Sequence, residues 1–266
     1  MAEATPTQFN DGKAYERSMG RWSRMAGEIL IDWLGLPPGL RWIDVACGNG
    51  AFTELLVQSC QPVDVQGIDV SEGQLSYARE RLAGQAVTFH QGNAQALPFE
   101  DDEFDAAAMA LAINLVPDNA KAVAEMARVV RPGGTVATYM WDLNGGGFPM
   151  QPIREVLREV GTETLFFGAE FTEQQNMRGL WETAGLDAID VRRIDIRLTF
   201  DDFDDFWISN TRTDGTVAKA INSLPESMAE TVKERLRERL PSDGQGRISF
   251  GAHANAVKGK VKRRQD

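Results

Sequence analysis

A chain of 266 residues with 42% hydrophobic and 25% charged side chains can bury a sizeable core and has a globular composition. Its formal charge of −11 argues against a nucleic-acid partner, because binding phosphates needs a basic surface. Two cysteines, Cys47 and Cys60, suggest neither a zinc site nor a disulfide framework, and no apolar run approaches the ~20 residues of a membrane span.

The start, Met1-Ala2-Glu3-Ala4-Thr5-Pro6, lacks the charged-then-apolar pattern of a signal peptide, so a reducing cytoplasm is the expected location. An N-terminal helix is predicted to carry Tyr15, Arg21 and Trp22. The stretch Trp42-Ile43-Asp44-Val45-Ala46-Cys47-Gly48-Asn49-Gly50-Ala51-Phe52 then reads as a strand, a small-residue turn and a helix N-terminus. Gly48 and Gly50 let the backbone approach a ligand that a Cβ would block. The dinucleotide fingerprint G-x-G-x-x-G/A is incomplete, since Thr53 stands at the third position, and no G-x-x-x-x-G-K-[ST] loop occurs. Asp44 would repel a phosphate; it suits a positive group such as an ammonium or sulfonium.

Val63 to Val70 is a second strand ending in Asp69, placed to accept hydrogen bonds from ribose hydroxyls. Ser71 and Gln74 form a capping box for the next helix. Val87 to Ala94 is a third strand running into a polar turn at Asn93. Leu97-Pro98-Phe99 and Phe104-Asp105-Ala106 lead into a fourth strand. Arg131-Pro132-Gly133-Gly134 ends a helix, with Gly133 as its left-handed cap, and opens a fifth strand from Thr135 to Trp141. Gly145-Gly146-Gly147 follows as a flexible break suited to a mobile loop at a pocket mouth. Thr172 and Gln175 form a second capping box. Ile194, Ile196 and Leu198 alternate with Arg193, Asp195 and Arg197 in a half-buried strand, and a last strand is predicted over residues 247–257. Between these two strands, Phe200, Phe203, Phe206 and Trp207 precede an i, i+4 stripe of Met228, Val232, Leu236 and Leu240, which predicts a small helical cap. The alternation of strands and helices predicts an α/β fold with a doubly wound, mostly parallel sheet.

In order and spacing, Asp44 to Gly50, Gly67 to Ser71, Gln91 to Phe99 with Phe104-Asp105, and Arg131 to Gly134 resemble the class I S-adenosylmethionine-dependent methyltransferases. The likeness covers roughly residues 40–142 and is strongest to the ubiquinone/menaquinone-biosynthesis and small-molecule branch. It implies a Rossmann-like seven-stranded sheet with an antiparallel last strand. It further implies a helical lid over residues 1–39 and a methyltransferase domain over 40–266, with the cap insert at about 200–242. The implied cofactor is S-adenosylmethionine, with Ala46, Cys47, Gly48, Asn49 and Gly50 around its methionine part and Asp44 in the same set. Asp69 would hold the ribose, Val70 would flank adenine, and Gln74 joins the cofactor-binding residues. Asn93 and Ala94 would read the adenine edge, and Ala110 and Leu111 would lie near the sulfonium.

In relatives the N-terminal helix closes over the site, which makes Tyr15, Arg21 and Trp22 substrate candidates. Asn114, Trp141 and Phe148 join them as residues just past strand ends on the ligand side of an open sheet. Three departures stand out: Ala46 replaces a frequent Gly, Asn93 a usual Asp, and Asn114-Leu115 a His or aromatic pair. No catalytic base is assigned. His90 reads as a satisfied strand histidine, and nothing ties His253 to a methyl group. The resulting expectation is transfer of a methyl group to a small, partly apolar acceptor, with no metal. A non-catalytic cofactor-binding module, a nicotinamide-dependent oxidoreductase and a protein-directed methyltransferase are the alternatives.

Overall fold

The computed structural model describes residues 19–211 and 215–263. Strands β1 (Arg41–Val45), β2 (Asp64–Asp69), β3 (Val87–Gln91), β4 (Phe104–Ala110), β5 (Val130–Trp141), β6 (Asp187–Phe200) and β7 (Ile248–Lys260) form one sheet. Their order is β3-β2-β1-β4-β5-β7-β6. The first five pair in parallel, and β7 runs antiparallel to both β5 and β6. This is the expected Rossmann-like sheet. Strand order reverses between β1 and β4, so the loops after these strands diverge and open a crevice at their C-terminal ends.

Local chemistry explains most elements. Helix α1 (Arg21–Leu34) sets Trp22, Ala26 and Leu30 on one buried stripe and stops at Gly35, whose φ is +59°. Helix α2 (Ala51–Cys60) follows the small-residue turn after β1, and α3 (Glu72–Arg81) starts at Ser71, whose hydroxyl accepts from the Gln74 N–H at 3.4 Å. Helix α4 (Asn119–Val129) is capped by Asp118, which accepts from the Lys121 N–H at 2.9 Å. In β6, Ile194, Ile196, Leu198 and Phe200 turn inward while Arg193, Asp195 and Arg197 face solvent. No helix among the described residues is long and apolar enough to cross a membrane.

Helices α5 (Gln151–Glu159) and α6 (Gln174–Thr183) follow β5. The segment between β6 and β7 folds into α7 (Phe203–Thr211), α8 (Thr216–Asn222) and α9 (Glu226–Arg239), as the periodicity predicts. Phe206 is fully buried and meets Phe200 and Phe250 edge-on at 5.4 and 5.7 Å. The aromatic residues of the insert therefore form its own core against the ends of β6 and β7. Arg235 and Arg239 of α9 reach Glu159 of α5.

Three local expectations need correction. Gly133 has a left-handed φ of +80°, but α4 has already ended at Val129; the glycine turns inside β5, where its N–H bonds to the Val261 carbonyl at 2.8 Å. Thr172 does not cap α6, whose N-cap is Glu173. Its hydroxyl instead donates to the Ala169 carbonyl at 2.7 Å and accepts from the Leu143 N–H. The glycine run is tied down: the Gly145 N–H bonds to the Asp142 carboxylate at 2.7 Å, the Gly147 N–H to the Asp142 carbonyl at 2.7 Å, and the His253 N–H to the Gly147 carbonyl at 2.9 Å. A Cβ on Gly147 would lie 2.2 Å from the His253 carbonyl oxygen.

Candidate functional site

A cavity of about 710 Å³ opens at the C-terminal ends of the parallel strands. Its walls come from the turn after β1, the starts of α2 and α3, the end of β2, the turn after β3, the end of β4, Tyr139 of β5, and Ser23 and Arg24 of α1.

The turn after β1 is shaped by conformations rare for L-residues. Ala46 has φ +56°, and Gly48 has φ +52° with no atom within 4 Å of where its Cβ would sit, so that side is left open to a ligand. Leu111, at the end of β4, shares the unusual φ of +56°. Ala46 and Leu111 thus border one cavity in a conformation that costs an L-residue about 1 kcal/mol or more. The Cys47 N–H bonds to the Ile68 carbonyl at 3.0 Å and the Leu111 N–H to the Tyr139 carbonyl at 2.9 Å, which fixes both turns. The Asn49 side chain accepts from the Ala51 N–H at 3.2 Å at the head of α2.

Asp69 binds the two neighbouring turns together. One carboxylate oxygen accepts from the Gly48 N–H at 2.9 Å and the other from the Ser71 N–H at 2.8 Å. Burial raises its pKa above the usual carboxylate range, and these N–H bonds oppose the rise. Asp44 is fully buried at the cavity wall; Thr53 donates its hydroxyl to one oxygen at 2.6 Å, and the other oxygen has no hydrogen-bond partner. Burial pushes the Asp44 pKa up to about 7, with nearby Asp69 adding to the rise. Burial likewise holds the Cys47 thiol neutral. Val70 is 59% exposed on the rim, an apolar face free to pack against a ligand. Asn93 accepts from the Gln95 N–H at 2.9 Å through its side-chain oxygen, which turns its amide nitrogen away from that bond.

The charges that line the cavity are Arg24, Asp44, Asp69 and Glu72. Three acids to one base suit a cationic ligand. Among the described residues, no group of three or more His, Cys, Asp or Glu could hold a metal ion.

Every residue expected around the cofactor lines this cavity except Gly50. Gly50 has φ +77°, and its Cβ would approach the Ala78 Cβ to 3.0 Å, so it serves the packing of α3 on the turn instead. The acceptor candidates fare differently. Tyr15 lies outside the described residues. Arg21 points to β6, donating to the Thr199 carbonyl at 2.8 Å. Trp22 is 1% exposed between Phe200 and Phe250, since a large apolar ring at the start of an amphipathic helix is drawn into the core. Trp141 is also buried, and Phe148 packs on Phe166 at 4.9 Å. Asn114 is buried, holding the Phe167 carbonyl at 2.9 Å. None of these five lines the cavity. His90 meets Gln66 at 2.6 Å, and His253 meets Asp142 at 3.2 Å.

Ser23, Arg24, Phe52, Leu55 and Tyr139 line the cavity without having been singled out from the sequence. Tyr139 donates its hydroxyl to the Ser23 carbonyl at 3.2 Å, so α1 and β5 meet at this wall. A strand tyrosine carries no local signal of that meeting. For Ser23 and Arg24 the only signal is their place beside Arg21 and Trp22 on the N-terminal helix.

Residues 43–138 match the sequence profile of a family described as a methyltransferase domain. Over that segment the chain is similar to a methyltransferase domain. The matched segment runs from β1 into β5 and supplies every part of the cavity except Ser23, Arg24 and Tyr139. A Mycobacterium tuberculosis protein of uncharacterised function is 37% identical over 119 residues, 45% of this chain and 43% of that protein. Demethylmenaquinone methyltransferase of Staphylococcus aureus is 39% identical over 105 residues, 39% of this chain and 44% of the relative. The chain spans less than half the length of these curated relatives. Haemonchus contortus phosphoethanolamine N-methyltransferase 2, solved in complex with S-adenosyl-L-methionine, shares the fold with a TM-score of 0.60 at 16% identity, over 94% of this chain and 56% of that one. The resemblance read from the motifs thus holds over residues 43–138, and the sheet around them shares the fold of that neighbour.

Proposed function

We propose that this chain is an S-adenosylmethionine-dependent methyltransferase acting on a small, partly apolar organic molecule. The observation that carries the reading is the cavity itself: an acid-lined crevice at the switch point of the sheet, built almost wholly by the methyltransferase domain. The open side of Gly48 and the unpartnered oxygen of buried Asp44 both fit a ligand that is cationic at its methionine end. Asp69 would orient the ribose, Val70 would pack on the adenine face, and Asn93 and Ala94 would border its edge. When bound, S-adenosylmethionine supplies a methyl group on a sulfonium, transferred in one in-line displacement.

The protein's part is then positioning and exclusion of water. Ala110 and Leu111 at the end of β4 would hold the acceptor side of the cavity, with Phe52, Leu55 and Tyr139 forming its apolar wall. Helix α1 would roof it through Ser23 and Arg24, consistent with a lid function for the N-terminal segment. A general base is needed only for an acceptor that is protonated at the working pH.

Calorimetric titration with S-adenosylmethionine, S-adenosylhomocysteine and NADH tests the cofactor. Micromolar binding of the two sulfur compounds and none of NADH is expected. Binding of NADH alone would sink the reading in favour of an oxidoreductase. Methyl transfer from labelled cofactor to a panel of small acceptors tests the activity. Tight cofactor binding with no transfer to any small acceptor, or transfer only to lysate protein, would favour the binding module or the protein-directed enzyme.

A further inference from the structure

Asp44 is a carboxyl group with no cation to offset it. From α2 it faces the neutral hydroxyl and the backbone N–H of Thr53, from β2 the acid Asp69, and from its own turn the neutral thiol of Cys47. Strand β4 sets only Ala106, Ala107 and Ala108 against β1. Of the remaining charges lining the cavity, Glu72 is a third acid. Arg24 is the one cation lining it, and it is already engaged by Glu28 at 3.2 Å, Gln58 at 3.0 Å and Glu54 at 3.8 Å. A buried carboxylate so placed keeps its proton near neutrality. Below neutrality it ionises when positive charge arrives in the cavity beside it.

Building on the proposed cofactor, we infer that cofactor binding expels one proton from Asp44, so that the site loads by exchanging a proton for a cation. The O–H bond of Asp44 breaks, the proton passes to the buffer, and the carboxylate keeps the electron pair and faces the ligand's ammonium group. Thr53 continues to donate to the other oxygen throughout. The affinity of the empty protein for its cofactor then falls as the medium is acidified, which ties loading to pH.

The test is calorimetry of the full chain with S-adenosylhomocysteine, in pairs of buffers that differ in ionisation enthalpy. With the group half-titrated near neutrality, release of about 0.9 proton is expected at pH 6 and about 0.5 at pH 7, and the dissociation constant should rise about tenfold per unit below pH 6. The ligand's amino group is the ammonium of an amino-acid zwitterion and stays charged at pH 6 and 7. Methylthioadenosine, which lacks that group, should bind with no proton release. Asp44→Asn should abolish the release. Release below about 0.2 proton at pH 6, or release that survives Asp44→Asn, overturns the inference while leaving the cofactor assignment intact. Failure of both compounds to bind at any pH from 5.5 to 8.5 overturns the cofactor assignment and the inference together. The wild-type measurement decides the matter even if a variant does not fold.

Discussion

Asp69 shows how much one side chain is asked to do in this cavity. Its two oxygens hold the Gly48 and Ser71 N–H groups, and the same carboxylate is the proposed ribose ligand. Asp69→Ala is therefore expected to weaken S-adenosylhomocysteine binding by about 1.5–3 kcal/mol, the scale of charge-assisted hydrogen bonds. A dissociation constant equal to that of the wild type in calorimetry would remove Asp69 from the site. Asn93 is a gentler case. Asp at this position keeps the acceptor for the Gln95 N–H and adds a second one, so Asn93→Asp should preserve or tighten binding. A large loss would show that the amide nitrogen of Asn93 does the work.

At the level of elements, the insert between β6 and β7 is a packing device and stands apart from the cavity. Phe206 sits among Phe200, Phe203 and Phe250, and none of these lines the site. Phe206→Ala is expected to cost about 3–5 kcal/mol, the range for emptying a buried aromatic position, read by urea denaturation. The dissociation constant for S-adenosylhomocysteine should stay within threefold of wild type. A selective loss of binding without loss of stability would mean that the cap reaches the ligand. Helix α1 is different, because it serves both layers. Trp22, Ala26 and Leu30 anchor it in the core, while Ser23 and Arg24 face the cavity.

On the scale of the whole molecule, burying Asp44 makes stability depend on pH. Its folded pKa of about 7 lies above the unfolded value of 3.8, so the native state binds the extra proton between those limits. Its contribution to stability is fully present below pH 4 and is lost as the pH rises through 7. Asp44→Asn, which cannot ionise, should thus melt at least about 3 °C higher than the wild type at pH 8 when no ligand is present. That advantage should fade toward pH 4. Thermal denaturation followed by circular dichroism across this range checks the sign. A variant less stable at every pH would show that Asp44 is ionised and satisfied in the empty protein.

The sequence by itself determined the strand order of chemistry along the chain. Gly48, the Ser71 cap, the strand-end acids Asp44 and Asp69, and the alternation of β6 are all set by local physics: allowed φ, orphan N–H groups at helix starts, and the period-2 pleat. Those features were legible because each depends on neighbours within a few residues. The tertiary structure alone decided which side chains finish the cavity. Trp22 and Ser23 are adjacent in sequence, yet one fills the core and the other lines the cavity wall, because the rotation of α1 against α2 and the sheet sorts them. Likewise, Gly50 could not be told from Gly48 until α3 was packed against the turn. Asp44 read as a carboxylate awaiting a cation, but only its complete burial, among acids and apolar strands, raises its titration to about pH 7.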